Sequence, residues 1–158
     1  MNQHALEPYP LNPPVTRHQV LEAAASILQE QFVRGDVFTS PNTVKEFVAF
    51  KLASKEQEVF AVLYLDNQHR LIQYEELFFG TIDAASIYPR EVIKKVLANN
   101  AAAVILAHNH PSGVAEPSTS DKHITTKLVD ALNVIEVRVL DHIITGEECV
   151  SFAERGLL

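Results

Sequence analysis

Residues 105–121 read Ile-Leu-Ala-His-Asn-His-Pro-Ser-Gly-Val-Ala-Glu-Pro-Ser-Thr-Ser-Asp and concentrate the side chains that could do chemistry. His108 and His110 stand one residue apart at the end of an apolar run, and ten residues separate His110 from Asp121. On a strand, residues two apart point to the same side, so the two imidazoles face together while Asn109 faces away. Two imidazoles and one carboxylate suit zinc with a fourth position left for water. Water on such a metal becomes a nucleophile near neutral pH. Pro111, Gly113 and Pro117 constrain the loop so that the chain folds back toward the metal. A lone His-x-His pair is weak evidence; an acidic residue after a turn-rich loop strengthens it. Ser118-Thr-Ser-Asp121 also reads as a capping box for the helix that follows. The two roles are compatible, because a carboxylate has two oxygens. Capping alone leaves the paired histidines unexplained.

The rest of the chain must position that stretch. Residues 1–15 hold four prolines and read as an extended or disordered arm. From Thr16 to Phe32, Leu21, Ala24, Leu28 and Phe32 recur at helical spacing, with Thr16 as cap and Gly35 past the end. That helix is expected to pack on the main domain or on a second copy, which leaves a homodimer open. Ser40-Pro41 starts another helix, lined by Val44, Phe47, Val48 and Leu52. Glu58 to Asp66 is a nearly continuous apolar run, as in a strand buried on both faces. After the turn Asn67–Arg70, Leu71 to Ile82 reads as its hairpin partner, bent near Gly80. Pro89 opens a helix with Val92, Ile93, Val96 and Leu97 inward, and Ala103 to Ala107 is the strand that delivers the histidines. Ser118 to Leu132 is helical, burying Ile124, Leu128, Ala131 and Leu132. Val134 to Ile144 and Val150 to Ala153 are the last strands. Alternating helices and strands with one hairpin predict an α/β fold, a three-layer α/β/α domain with a mixed sheet over residues 37–158, preceded by an arm and helix over 1–36.

Composition narrows the class. The 158 residues are 47% apolar and 21% charged, as in a soluble globular protein. No apolar run approaches the roughly 18 residues that cross a membrane, and the N-terminus lacks the pattern of a signal peptide. The single cysteine, Cys149, excludes an internal disulfide or a multi-thiolate zinc site and reads as a small buried residue. A cytoplasmic protein is the expectation. A net charge of −7 disfavours nucleic acid as a partner, since that affinity rests on many Lys and Arg phosphate contacts.

His108-x-His110, seven residues, Ser118, two residues and Asp121 resembles the JAMM signature of MPN-domain (JAB-type) zinc metalloproteases. The fuller string His108-Asn-His-Pro-Ser-Gly with Pro117-Ser118 and Asp121 is similar to the bacterial RadC family. So are Tyr88-Pro-Arg-Glu91, Val139-Leu-Asp-His-Ile143 and Ser151-Phe-Ala-Glu-Arg-Gly156. Long RadC proteins carry an N-terminal helix-hairpin-helix domain, for which this chain is too short. The resemblance implies a cytidine-deaminase-like fold with zinc on His108, His110 and Asp121. It implies a glutamate outside the motif as general acid/base, and Ser118 steadying the oxyanion. Glu58 holds the place such a glutamate takes, ahead of an early central strand; Glu56, Glu75, Glu76 and Glu116 are the alternatives.

Other residues are weighed and set aside. His123 lies two positions past Asp121 and faces elsewhere on the helix. His142 with Asp141 is either a pair orienting a ligand or a structural histidine. His4, His18 and His69 lie in an arm, an exposed helix and a turn. Ser112 and Asn109 flank the ligands as outer hydrogen-bonding groups. The leading function is hydrolysis of an amide bond in a peptide or protein by metal-activated water. A nucleobase deaminase would need His-x-Glu and Cys-x-x-Cys, which are missing. A non-catalytic MPN interaction module and a DNA repair or recombination role, after the family name, are the other readings.

Overall fold

The computed structural model describes residues 9–11, 13–33, 41–80 and 87–158. His4, Gly35, Ser40, Thr81-Ile82, the Phe32 side chain and the expected boundary at residues 36 and 37 lie outside the described residues. Helix α1 runs Arg17–Val33. Its start is fastened reciprocally: the Gln19 N–H donates to Thr16 Oγ1 and the Thr16 N–H to Gln19 Oε1. The helix seats Ala25 in the core with Leu28 beside it. Leu21 and Ala24 are only half-buried. Helix α2, Pro41–Leu52, buries Val44, Phe47, Val48 and Leu52, as the spacing predicts.

Strand β1, Val59–Leu65, is buried at every position. Asp66 closes the hairpin by accepting from the Gln68 and Arg70 N–H groups. The partner strand β2, Leu71–Phe79, pairs antiparallel with β1 and ends at the bend of Gly80, whose φ of 109° suits glycine. Helix α3 is Pro89–Ala98, strand β3 Ala103–Asn109, helix α4 Thr119–Asn133, strand β4 Arg138–Thr145 and strand β5 Cys149–Ser151. The sheet order is β2-β1-β3-β4-β5; β3 and β4 are parallel, the other pairs antiparallel. β1 and β3 thus sit between neighbours, which accounts for their unbroken apolar sequences.

Alternate residues of the sheet feed two cores. Val59, Leu63, Leu65, Ala103, Ile105 and Ala107 pack under α1 and α2. Phe60, Val62, Tyr64, Val104 and Leu106 pack under α3 and α4 with Ile124, Leu128 and Leu132. The result is the three-layer α/β/α fold. Three expectations are corrected. Leu97 is 61% exposed, because only Val92 and Val96 on α3 reach the core while Ile93 packs at its edge. Ala131 is half-buried, not buried. Val134 starts no strand: it caps α4 and is 83% exposed, and the chain turns through Glu136 at φ 59° before β4 begins at Arg138. Cys149 is half-buried, its thiol pushed up by burial.

Candidate functional site

Strand β3 carries His108 on the α3/α4 face, fully buried, and His110 one residue past the strand end. Two interactions seat that end. The His110 N–H donates to the Thr145 carbonyl, and the Gly113 carbonyl accepts from the Glu147 N–H. A Cβ at Gly146 would lie 2.3 Å from the Gly113 carbonyl oxygen, so the β4–β5 turn approaches the histidine loop as closely as a glycine permits. The loop returns to Ser118, the N-cap of α4, and Asp121 faces inward from the first turn of that helix, 1% exposed.

His108, His110 and Asp121 meet there, their ligand atoms within 4.8 Å of one another. His108 Nε2 lies 3.0 Å from His110 Nε2 and 3.2 Å from Asp121 Oδ1; His110 Nε2 lies 3.4 Å from Asp121 Oδ2. The donors match a metal. Zinc held tetrahedrally at about 2.0–2.1 Å separates its ligand atoms by about 3.3 Å. The proton positions match as well. His110 Nδ1–H donates to the Val114 carbonyl at 2.7 Å, which leaves its Nε2 as a lone pair. Both oxygens of the Asp121 carboxylate are engaged, and Oδ2, which faces His110, is also the oxygen that caps the helix. Oδ2 accepts from the Ser118 N–H and Oγ–H, both at 2.7 Å, while Oδ1 faces His108. The Asp121 N–H donates in return to Ser118 Oγ, completing the capping box.

Electrostatics follow from burial and these pairings. Burial pushes Asp121 up, but His108, His110 and Ser118 together hold it well below the usual carboxylate range. Asp121 holds His110 above its ordinary value, against the pull of burial. Burial holds His108 below it, with Asp121 opposing. His142 is lowered further by complete burial and then by His108.

Glu58 precedes β1. Phe60 pairs with His108, and continuing that antiparallel register by two residues sets Glu58 opposite His110. Its negative charge acts on both imidazoles, favouring their protonated forms. The backbone around it is pinned. Asn109 Oδ1 accepts from the Val59 N–H at 2.7 Å, Asn109 Nδ2 donates to the Gln57 carbonyl at 3.1 Å, and the Gly80 N–H donates to the Glu58 carbonyl. Asn109 thus faces away from the histidines, as strand alternation predicts, and clamps the segment bearing Glu58. The alternative glutamates are placed elsewhere. Glu75 pairs with Lys95, Glu76 with Lys55, and Glu116 with Arg155. Glu56 is exposed in a bend, because β1 begins no earlier than Val59.

One pairing raised from the sequence is corrected. Asp141 does not touch the His142 ring. As strand neighbours they point to opposite sides, and Asp141 accepts from Ser151 Oγ and from the His142 and Ala153 N–H groups. The His142 ring lies instead 2.8 Å from His108 Nδ1 and 2.6 Å from Thr125 Oγ1. Thr125 escaped the sequence reading, although its position one turn after Asp121 places it beside the site. His123 is exposed, His18 meets Ser54, and His69 accepts from Arg138, so none joins the cluster. Ser112 Oγ lies 3.4 Å from the Val114 N–H within the loop.

Residues 38–157 match the family model described as a RadC-like JAB domain. Two proteins of Vibrio cholerae serotype O1, each named UPF0758 protein, are 61% and 57% identical over 89% and 95% of this chain and 90% and 95% of their own lengths. A longer UPF0758 protein of Thioalkalivibrio sulfidiphilus is 59% identical over 88% of this chain, a match covering 62% of that relative. Among the described residues, no helix is long and apolar enough to cross a membrane.

Proposed function

We propose, from the premise that this chain belongs to the RadC-like JAB domain family, that it is a zinc-dependent hydrolase of amide bonds in a peptide or protein substrate. One observation carries the reading. His108 Nε2 and His110 Nε2 lie 3.0 Å apart and face the two oxygens of the Asp121 carboxylate, Oδ1 at 3.2 Å and Oδ2 at 3.4 Å, with the Nδ1 proton of His110 donated to Val114. Electron pairs at that separation repel unless a proton or a metal ion stands among them, and a zinc ion would engage all three side chains at once. His108, His110 and Asp121 would hold zinc. When bound, zinc supplies a Lewis acid that polarises a carbonyl and makes water nucleophilic near neutral pH.

The chain's own residues supply the rest. Glu58 takes the proton of the attacking water and returns it to the leaving amine. Its backbone is pinned by Asn109 and Gly80, so only side-chain rotation is left to bring the carboxylate to the water. Ser118 donates to the oxyanion that develops on the substrate carbonyl. Its hydroxyl can turn away from Asp121 because the Ser118 N–H continues to satisfy Oδ2.

The test is a proteome-derived peptide library cleaved by wild type and by Glu58→Gln. The expected outcome is metal-dependent cleavage by wild type, lost by a factor of about 100 or more in Glu58→Gln with zinc retained. Equal cleavage by both proteins would remove Glu58 from the mechanism. Wild type that neither binds zinc nor cleaves would favour an interaction module.

A further inference from the structure

Beyond the ligands, a chain of hydrogen bonds runs from His108 to the Asp121 backbone carbonyl through two residues with no assigned role. Its protons can be placed one by one. Thr125 Oγ1 lies 2.6 Å from the Asp121 backbone carbonyl and 2.6 Å from His142 Nδ1. A carbonyl only accepts, so the single hydroxyl proton of Thr125 goes to Asp121. Toward His142 the hydroxyl then has only lone pairs, and Nδ1 of His142 must carry a proton. His142 is completely buried between Phe60 and Phe152, with no carboxylate on its ring among the described residues, and is neutral there. Its Nε2 is therefore an acceptor. The atom facing it at 2.8 Å is His108 Nδ1, which must donate. Only then does His108 present a lone pair on Nε2, the atom 3.2 Å from Asp121 Oδ1.

We infer that His142 and Thr125 are positioning residues that fix His108 as the Nδ1–H tautomer, and that the relay ends on the backbone of the same Asp121 whose carboxylate completes the site. The inference rests on the reading of the site as a zinc centre. The direction of the relay excludes the wrong tautomer. A proton on His108 Nε2 would leave Nδ1 and His142 Nε2 as two lone pairs 2.8 Å apart inside an apolar box. The same chain of hydrogen bonds ties α4 to β3 and β4. Outer partners of metal-bound histidines set affinity by a factor of about 10–100.

The test uses the full chain and zinc alone, with dissociation constants from chelator competition. Thr125→Val keeps the shape and removes the acceptor, so zinc affinity falls by about 10-fold. Thr125→Ser restores the hydroxyl and stays close to wild type. His142→Leu loses about 100-fold, and His142→Gln, whose amide both donates and accepts, recovers part of it. Long-range proton–nitrogen spectra of chelator-treated wild type place the protons of His108 and His142 on Nδ1. Unchanged affinity in both Thr125→Val and His142→Leu overturns the inference, as does a proton on His108 Nε2. If wild type binds no zinc, the hydrolase reading fails, and the spectra still decide the relay. Protons on both Nδ1 atoms support it; any other placement refutes it.

Discussion

Asn109 lies between the two ligand histidines and does none of their chemistry. Its amide satisfies a donor and an acceptor on either side of Glu58. Asn109→Ala removes both partners; the buried Val59 N–H left without an acceptor costs about 1–3 kcal/mol, while the Gln57 carbonyl can turn to water. Urea melts are expected to show that loss, and cleavage activity is expected to fall further than stability alone explains, because Glu58 loses its mooring. A variant as stable and as active as wild type would deny the clamp. At this scale the meeting of His108, His110 and Asp121 was legible because it is local: a strand end, a loop and a helix cap carry them within a short stretch. The partner of His142 was not legible. Asp141, adjacent in sequence, looked like the partner, but strand alternation sends the two side chains apart. His108, 34 positions away, takes the ring.

Elements hold the site by meeting at their ends. The C-terminal end of β3, the N-terminus of α4 and the β4–β5 turn converge on one histidine loop, and at Gly146 the turn leaves no room for a Cβ beside the Gly113 carbonyl. Gly146→Ala must push the Gly113 carbonyl away and break its bond to the Glu147 N–H. The expected result is a cost of about 1–3 kcal/mol together with weaker zinc binding, read by thermal melting and chelator competition. Wild-type values for both would show that the turn does not position the loop. Element types and order followed from periodicity and caps, since Val44, Phe47, Val48 and Leu52 on α2 and the apolar sequence of β1 admit few alternatives. Boundaries did not. The stripe on α3 is symmetric in sequence, and only packing decides that Leu97 stays outside. Val134 and Ile135 read as strand until the parallel register with β3 fixes Arg138 as the first paired residue.

The whole molecule places its site on the sheet face opposite α1 and α2, and buries two histidines there in neutral form. That has a pH signature in chelator-treated protein. His108 and His142 are lowered by burial, so below about pH 6.5 the unfolded chain takes protons that the folded chain refuses. Stability therefore falls as pH drops through that value. His110, raised by Asp121, acts the other way: its contribution is complete below about pH 6.5 and is lost as pH rises through its folded value. Asp121 contributes above about pH 3.8 and is lost only in stronger acid. Urea midpoints are expected to decline from about pH 6.5 to about pH 5, and to decline less in His142→Gln. An equal decline in the variant would mean that His142 is not held neutral.

The most direct test of the zinc site is elemental analysis of protein purified without chelators. Close to one zinc per chain is expected in wild type and in Glu58→Gln, and none in His110→Ala. Wild type without zinc, or His110→Ala with its zinc intact, would contradict the zinc site.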